Sequence, residues 1–114
     1  MVEVKRGEIW LIDLNPTKGS EQRGVRPCLV ISNDITNQHA PTITVLPLTS
    51  NLAGQRFPVN VVLSKQETRL KVDSLVLCGQ IRTVTKERIV QKLTAITINE
   101  INRVEKALLL YLGI

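Results

Sequence analysis

A mainly antiparallel β-barrel or β-sheet with one helix appended at its C-terminus is the fold class this 114-residue chain predicts. Three observations predict it: about six short runs rich in β-branched residues, a switch to helical spacing near the C-terminus, and no alternation of strands with crossover helices. The length is that of one domain, residues 1–114, since a second core would be too small to stand. With 43% apolar and 22% charged residues, and only 6 Gly and 5 Pro, the chain has enough to bury a core without a metal or disulfide as a staple.

Gly7 to Leu14 is the first expected strand, an apolar run through Ile9, Trp10 and Ile12 bounded by Gly7 before it and Asn15-Pro16 after it. From Asn15 to Arg26 the character changes. Glycine, proline, and charged or amide side chains predominate there, with Val25 the only apolar residue, which predicts a long exposed loop. Long aperiodic loops in a small domain often carry function, so chemistry is sought here first. Pro27 to Ser32 resumes an apolar strand, and Asn33-Asp34 opens a polar stretch to Ala40 with room for one helical turn. Thr42 to Thr49 and Phe57 to Leu63 are β-branched-rich strands, in which Pro47 and Pro58 mark an edge or a bulge. Asp73 to Val84 is the longest expected strand, with Gly79 predicting a bulge or the close approach of another backbone. Ile89 to Ile96 is the last strand.

The helix follows. Ile98, Ile101, Val104, Leu108 and Leu112 recur at spacings of three or four and share one face, while Glu100, Arg103 and Lys106 are expected to face away. Thr97-Ile98-Asn99-Glu100 fits the capping box, in which the Thr hydroxyl and the Glu carboxylate each take a free backbone N–H of the first turn.

Fifteen Lys and Arg against ten Asp and Glu leave a net charge of +5. A surplus of that sign attracts polyanions, whether nucleic acid or an acidic protein, and serves solubility equally well. Cys28 and Cys78 lie in apolar runs at no zinc-binding spacing and are expected to be reduced, buried and structural. No run approaches the ~18 to 20 apolar residues of a membrane span, so no membrane partner is expected and the expected location is the cytoplasm. The one histidine, His39, is expected in a solvated loop and excludes a two-histidine acid and base pair within one chain. P-loop, GxGxxG, GxSxG and HExxH strings are missing and the acidic residues are scattered, so neither a metal nor a nucleotide cofactor is expected.

Within the long loop, Pro27 fixes its own φ and pushes Arg26 towards extended conformations, which would hold a guanidinium at the mouth of the next strand. Gly19 and Gly24 permit positive φ or the close approach of a phosphate backbone, and Ser20, Glu21 and Gln22 carry groups suited to reading base edges. From residue types alone, a hairpin loop with ordinary turn residues and a solvated Arg26 is the plainer reading.

Five strings in order change that balance: Arg6-Gly7-Glu8-Ile9-Trp10, Gly19 to Pro27, Leu29 to Asp34, Pro47-Leu48-Thr49-Ser50 and Gln80-Ile81-Arg82-Thr83. Together they closely resemble the MazF/PemK/Kid family of toxin endoribonucleases over nearly the whole chain. The resemblance implies a small SH3-like β-barrel with a C-terminal helix and a homodimer. The activity it implies is metal-independent, sequence-specific cleavage of single-stranded mRNA, which inhibits translation and arrests growth. It places the catalytic arginine on Arg26 and the catalytic threonine on Thr49. Cleavage would proceed by attack of a ribose 2′-OH on the adjacent phosphate, giving 2′,3′-cyclic phosphate and 5′-OH ends. A guanidinium suits that reaction because it holds two oxygens of the charged phosphorane at once. Substrate binding is expected at Ser20, Glu21, Gln22, Arg23, Gly24, Ser50 and Gln80, with Phe57 the one aromatic placed to pack on a base while Trp10 sits in the core. Arg23 departs from the small residue common at that point of the family's loop. The implied partner is an acidic antitoxin whose disordered tail folds on binding, in a complex that itself binds DNA. A different class of function on the same barrel, a non-enzymatic poison of DNA gyrase, is the alternative.

Overall fold

The computed structural model describes residues 2–114; Met1, the first residue of the expected 1–114 domain, lies outside the described residues. The chain runs through β1 (Glu8–Asp13), β2 (Val25–Val30), α1 (Asp34–His39), β3 (Thr42–Thr49), β4 (Asn60–Leu63), α2 (Lys65–Thr68), β5 (Ser74–Leu77), β6 (Arg82–Thr85), β7 (Ile89–Ala95) and α3 (Ile98–Leu112). Short 3-10 turns at Cys78–Gln80 and Lys86–Arg88 flank β6. Every pairing is antiparallel, in the order β4-β5-β3-β2-β1-β7, with β6 added beside β3. β4 and β7 end this path and do not pair with each other among the described residues, so the expected barrel is an open one.

Strand alternation gives the sheet two apolar faces. Trp10, Ile12, Cys28, Val30, Ile43, Val45 and Val84 meet in one buried cluster, which Leu14 and Val4 complete. The intervening residues Ile9, Leu29, Leu46, Leu48, Leu63 and Val76 project from the other face and are covered by Val104 and Ala107 of α3. Burying both faces excludes water from the hydrogen bonds of the central strands and holds β2 and β3 in fixed register.

Several boundaries differ from the sequence reading for physical reasons. β2 begins at Val25, because Val25 and Arg26 pair with Asp13 and Ile12; Arg26 therefore stands in a strand and not in the loop. β4 begins at Asn60, since the preceding residues Gly54 to Asn60 close turns through Phe57 N–H to the Gly54 carbonyl and Asn60 N–H to the Phe57 carbonyl. The four-residue helix α2 was not expected, yet Ser64-Lys65-Gln66-Glu67 is itself a capping box. His39 closes α1 instead of lying in a loop.

The expected long strand from Asp73 to Val84 divides into β5 and β6. β5 pairs with residues 48 and 49 of β3 and β6 with residues 42 to 45, and between the two pairings the register slips by three residues. Those three are the turn Cys78–Gln80, a larger interruption than a single bulge. What approaches Gly79 closely is the Tyr111 ring of α3 and not a backbone: a Cβ on Gly79 would lie 3.2 Å from a Tyr111 ring carbon.

In α3 the cap forms as expected, the Thr97 hydroxyl accepting from Glu100 N–H at 3.4 Å and Glu100 Oε1 accepting from Thr97 N–H at 2.7 Å. Folding back to make this bond buries Glu100, which does not face away. Val104 and Ala107 form the buried centre of the apolar face, Ile101 and Leu108 border it, and Ile98 and Leu112 at its two ends are exposed. Gly113 ends the helix with φ +75°.

Candidate functional site

The β2–β3 register fixes the relation between the two residues of greatest chemical interest. Cys28 pairs with Pro47, Leu29 with Leu46 and Val30 with Val45. The pairing ends at Cys28 and Pro47; Arg26 lies two residues before Cys28 and Thr49 two residues after Pro47, so by strand alternation both belong to the face that carries Cys28 and Pro47. β1 extends the face, because Ile12 pairs with Arg26 from the other side. The buried apolar face thus ends in a guanidinium on β2 and a hydroxyl on β3 towards the rim of the sheet, where Arg26 is exposed and Thr49 half-buried.

The Arg26 side chain is oriented locally. Its Nε donates to the Arg23 carbonyl at 2.8 Å, and among the described residues Nη1 and Nη2 make no hydrogen bond, so the two-nitrogen edge of the fork is left for a ligand. The Thr49 Oγ1 accepts from Asn51 N–H at 3.1 Å, which leaves its own O–H to donate elsewhere.

The loop between β1 and β2 is held at several points. Gly24, at φ +78°, donates N–H to Asn15 Oδ1 at 3.0 Å and accepts from Leu14 N–H at 3.0 Å. Positive φ is what the chain needs there to re-enter the sheet, and it explains the glycine. Gln22 N–H donates to Gln80 Oε1 at 2.9 Å, joining the loop to the turn before β6. Arg82 Nη1 donates to the Leu14 carbonyl at 2.7 Å, and Arg88 Nη1 donates to the carbonyls of Asp13 and Asn15.

Between loop and turn lies an open groove of about 370 Å³, lined by Leu14, Pro16, Glu21, Gln22, Pro47, Gly79, Gln80, Ile81 and Arg82. Apolar groups share its walls about equally with amide and charged ones, a mixture that suits an unstacked base or a short segment of chain. Pro47 belongs both to this lining and to the face of Arg26 and Thr49, so groove and pair adjoin. Burial pushes the Cys28 thiol up to about 12, the positive charge of Arg82 on the same face pulling weakly the other way. Cys78, also free and buried, is pushed up to about 11 by burial. Neither thiol has the lowered pKa of a nucleophile.

Of the residues singled out in the sequence, Glu21, Gln22 and Gln80 come together around the groove, while Arg26 and Thr49 stand on neighbouring strands, each two residues beyond the last β2–β3 pair. Glu21 Oε1 also accepts from Lys18 N–H at 2.6 Å. Ser20 and Arg23 stand exposed on the loop, the latter reaching the Gly19 carbonyl at 3.4 Å, and Ser50 is exposed beside Thr49. Phe57, 65% exposed on the turn before β4, is not among the residues lining the groove. Arg82 and Asn15 were not singled out. Arg82 lies inside the Gln80-Ile81-Arg82-Thr83 string, but only the pairing of Arg82 with Val45 places it at the rim of the groove. Among the described residues no group of three or more His, Cys, Asp or Glu side chains is placed to hold a metal ion, and no helix is long and apolar enough to cross a membrane.

Solved structures share this architecture over the full chain. The MazF of Deinococcus radiodurans matches with a TM-score of 0.85 at 26% identity, covering 100% of both chains. A MazE-MazF complex from the same organism matches at 0.80 and 25% identity, covering 100% of this chain and 99% of that one. An endoribonuclease in complex with its cognate antitoxin from a Mycobacterial species matches at 0.78 and 24% identity, covering 100% and 97%. In sequence, the family described as PemK-like, MazF-like toxin of type II toxin-antitoxin system matches residues 5–112. A match of that extent, on a chain whose strings fall where this fold needs them, means that the protein belongs to the PemK-like, MazF-like toxins of type II toxin-antitoxin systems.

Proposed function

We propose that the protein is a metal-independent endoribonuclease that cuts single-stranded RNA at short preferred sequences, with Arg26 and Thr49 acting on one phosphate. What supports this reading is that Arg26 lies two residues before Cys28 and Thr49 two residues after its partner Pro47, on the face adjoining the groove. In the reaction, a ribose 2′-oxygen loses its proton and bonds to the adjacent phosphorus, and the bond from phosphorus to the 5′-oxygen breaks. The products are a 2′,3′-cyclic phosphate and a 5′-oxygen that takes up a proton. Charge builds on the non-bridging oxygens as the phosphorane forms, and the two Nη groups of Arg26 bind two of them. Arginine stays protonated throughout the neutral range, so its part is charge stabilisation and not proton removal. The Thr49 hydroxyl orients the same phosphate. Glu21 and Gln22, with Gly24 admitting the backbone closely, line the path of the bases; Ser20, Arg23 and Ser50 flank it.

The solved relatives bound to antitoxins support a matching partner here, an acidic antitoxin that covers the basic site, in a complex that binds DNA. The protein works in the cytoplasm as a homodimer with one site per two-fold-related copy. The gyrase-poison alternative has no observation in its favour. The test is incubation of the purified protein with a long single-stranded RNA in EDTA, with the cuts mapped by primer extension. Discrete cuts are expected, and a 2′-deoxy substitution at a mapped scissile nucleotide should abolish cutting there. Equal cutting of the deoxy substrate would rule out the internal nucleophile.

A further inference from the structure

The resemblance places Gln80 among the residues that read substrate, but its side-chain oxygen is already engaged within the protein. Gln80 Oε1 accepts from Gln22 N–H at 2.9 Å, a bond between groups 58 residues apart in sequence. The next residue, Arg23, offers the carbonyl that takes Arg26 Nε–H at 2.8 Å. Gly24 is then fixed on the far side by Asn15 Oδ1 and by Leu14 N–H. The short segment 22–24 is therefore pinned on both flanks, and the carbonyl that orients the Arg26 fork sits between the pins.

Gln80 is well placed to serve as the fixed end. It closes the turn whose three residues make up the register slip between β5 and β6, and Cys78 at the other end of that turn is fully buried. Gly79 between them packs on the Tyr111 ring. The loop is tied by hydrogen bonds and has little buried side chain of its own. Its side chains are mostly exposed and two of its glycines hold positive φ. A segment with few buried contacts opens at low cost unless something outside it holds it.

We propose that Gln80 is a positioning residue for the Arg26 guanidinium, acting through the backbone of Gln22 and Arg23 and not by reading a base. The proposal rests on the assignment of Arg26 as the phosphate-binding group. Losing the Gln80 oxygen frees the Gln22 amide and leaves the Arg23–Gly24 peptide held from the Gly24 side alone, and drift of an ångström at a reacting group costs up to about a hundredfold in rate.

Two variants of similar length separate the roles. Gln80→Met removes the acceptor, whereas Gln80→Glu keeps an oxygen that accepts from Gln22 N–H but loses the amide donor that a base reader would use. With a mapped RNA substrate, Gln80→Met is expected to lower kcat roughly tenfold, the worth of about one hydrogen bond, with the cut sites unchanged. Gln80→Glu should recover most of that rate, with a KM raised by its added charge and restored towards wild type by salt. Native-state hydrogen exchange at the Gln22 amide should be about tenfold faster in Gln80→Met than in wild type or Gln80→Glu. Circular dichroism and melting temperature verify that both variants fold. The proposal is overturned if Gln22 stays as protected in Gln80→Met as in wild type. It is equally overturned if Gln80→Met changes the preferred cut sequence at full kcat, or if Gln80→Glu loses as much kcat as Gln80→Met. Failure of the wild-type protein to cut RNA would instead refute the functional reading, and the exchange measurement would still decide whether Gln80 holds the loop.

Discussion

Glu8 offers a sharp test of how the sheet is held together behind the site. The residue is 8% exposed at the start of β1. Oε1 accepts from Lys5 N–H at 2.8 Å and from the buried Trp10 Nε1–H at 3.0 Å, while Oε2 lies 2.7 Å from Lys92 Nζ on β7. Burial pushes the carboxyl pKa up, but the hydrogen bonds from Lys92, Lys5 and Trp10 and the Lys92 charge outweigh it and leave the pKa below its ordinary value. Glu8→Ala strands the indole N–H in the core and empties the carboxylate site. At about 1 to 3 kcal/mol for a buried donor left unmet, together with the lost ion pair, the expected cost is about 2 to 4 kcal/mol. For a chain of this size that lowers Tm by roughly 10 °C or more. Glu8→Gln keeps an acceptor for Trp10 and Lys5 and loses only the Lys92 pair, so about 0.5 to 1.5 kcal/mol is expected. Because the folded pKa is depressed, the contribution of the charge is complete above the unfolded value near 4.5 and disappears as pH falls through the folded value. Urea melts of wild type and Glu8→Gln between pH 7 and pH 3 should therefore run a constant distance apart at neutral pH and converge in acid. A gap independent of pH across that window, or a Glu8→Ala variant as stable as wild type, would refute the reasoning.

Further outcomes follow from backbone geometry and burial. Gly7 and Gly24 both hold positive φ, at +90° and +78°, but a Cβ on Gly7 would lie 2.7 Å from the Ile101 Cδ1, whereas nothing stands within 4 Å of one on Gly24. Both substitutions should lower Tm through backbone strain of about 1 kcal/mol, and Gly7→Ala should in addition displace the Ile101 side-chain end; a Gly7→Ala or Gly24→Ala variant as stable as wild type would contradict the positive φ. Cys28 and Cys78, with thiols raised to about 12 and 11, should resist alkylation at pH 8 in the native protein and react once it is unfolded. Rapid native labelling of either would contradict their burial.

The elements that the sequence made legible are those whose pattern is local. β1, β3 and α3 carry their own periodicity, and the Thr97 cap declares the helix start four residues before Ile101 closes its first bond. Glu100 was misplaced because helical periodicity puts it on the outer face, while the capping bond that the same motif predicts draws its carboxylate inward. The division of β5 from β6 depends on two different stretches of β3 and on Tyr111, neither of which is visible in Asp73 to Val84 alone. For the site, residue types pointed to Arg26, but its standing in a strand follows from its pairing with Ile12 of β1, and the strand that carries Thr49 is set beside it only by a register between strands separated by α1. Arg82 and the Gln80 bond to Gln22 arise from the same long-range pairing, and no local motif encodes such a contact.

The central claim is that the Arg26 fork and the Thr49 hydroxyl act together on one phosphate. Its most direct measurement is single-turnover cleavage of a mapped RNA oligonucleotide by Arg26→Ala, Thr49→Val and the double variant. Each single change should slow cleavage by about a hundredfold or more, and the double variant should fall far short of the product of the two losses, because removing either group already ruins the shared site. Undiminished cutting by Arg26→Ala, or two losses that simply multiply, would contradict the account.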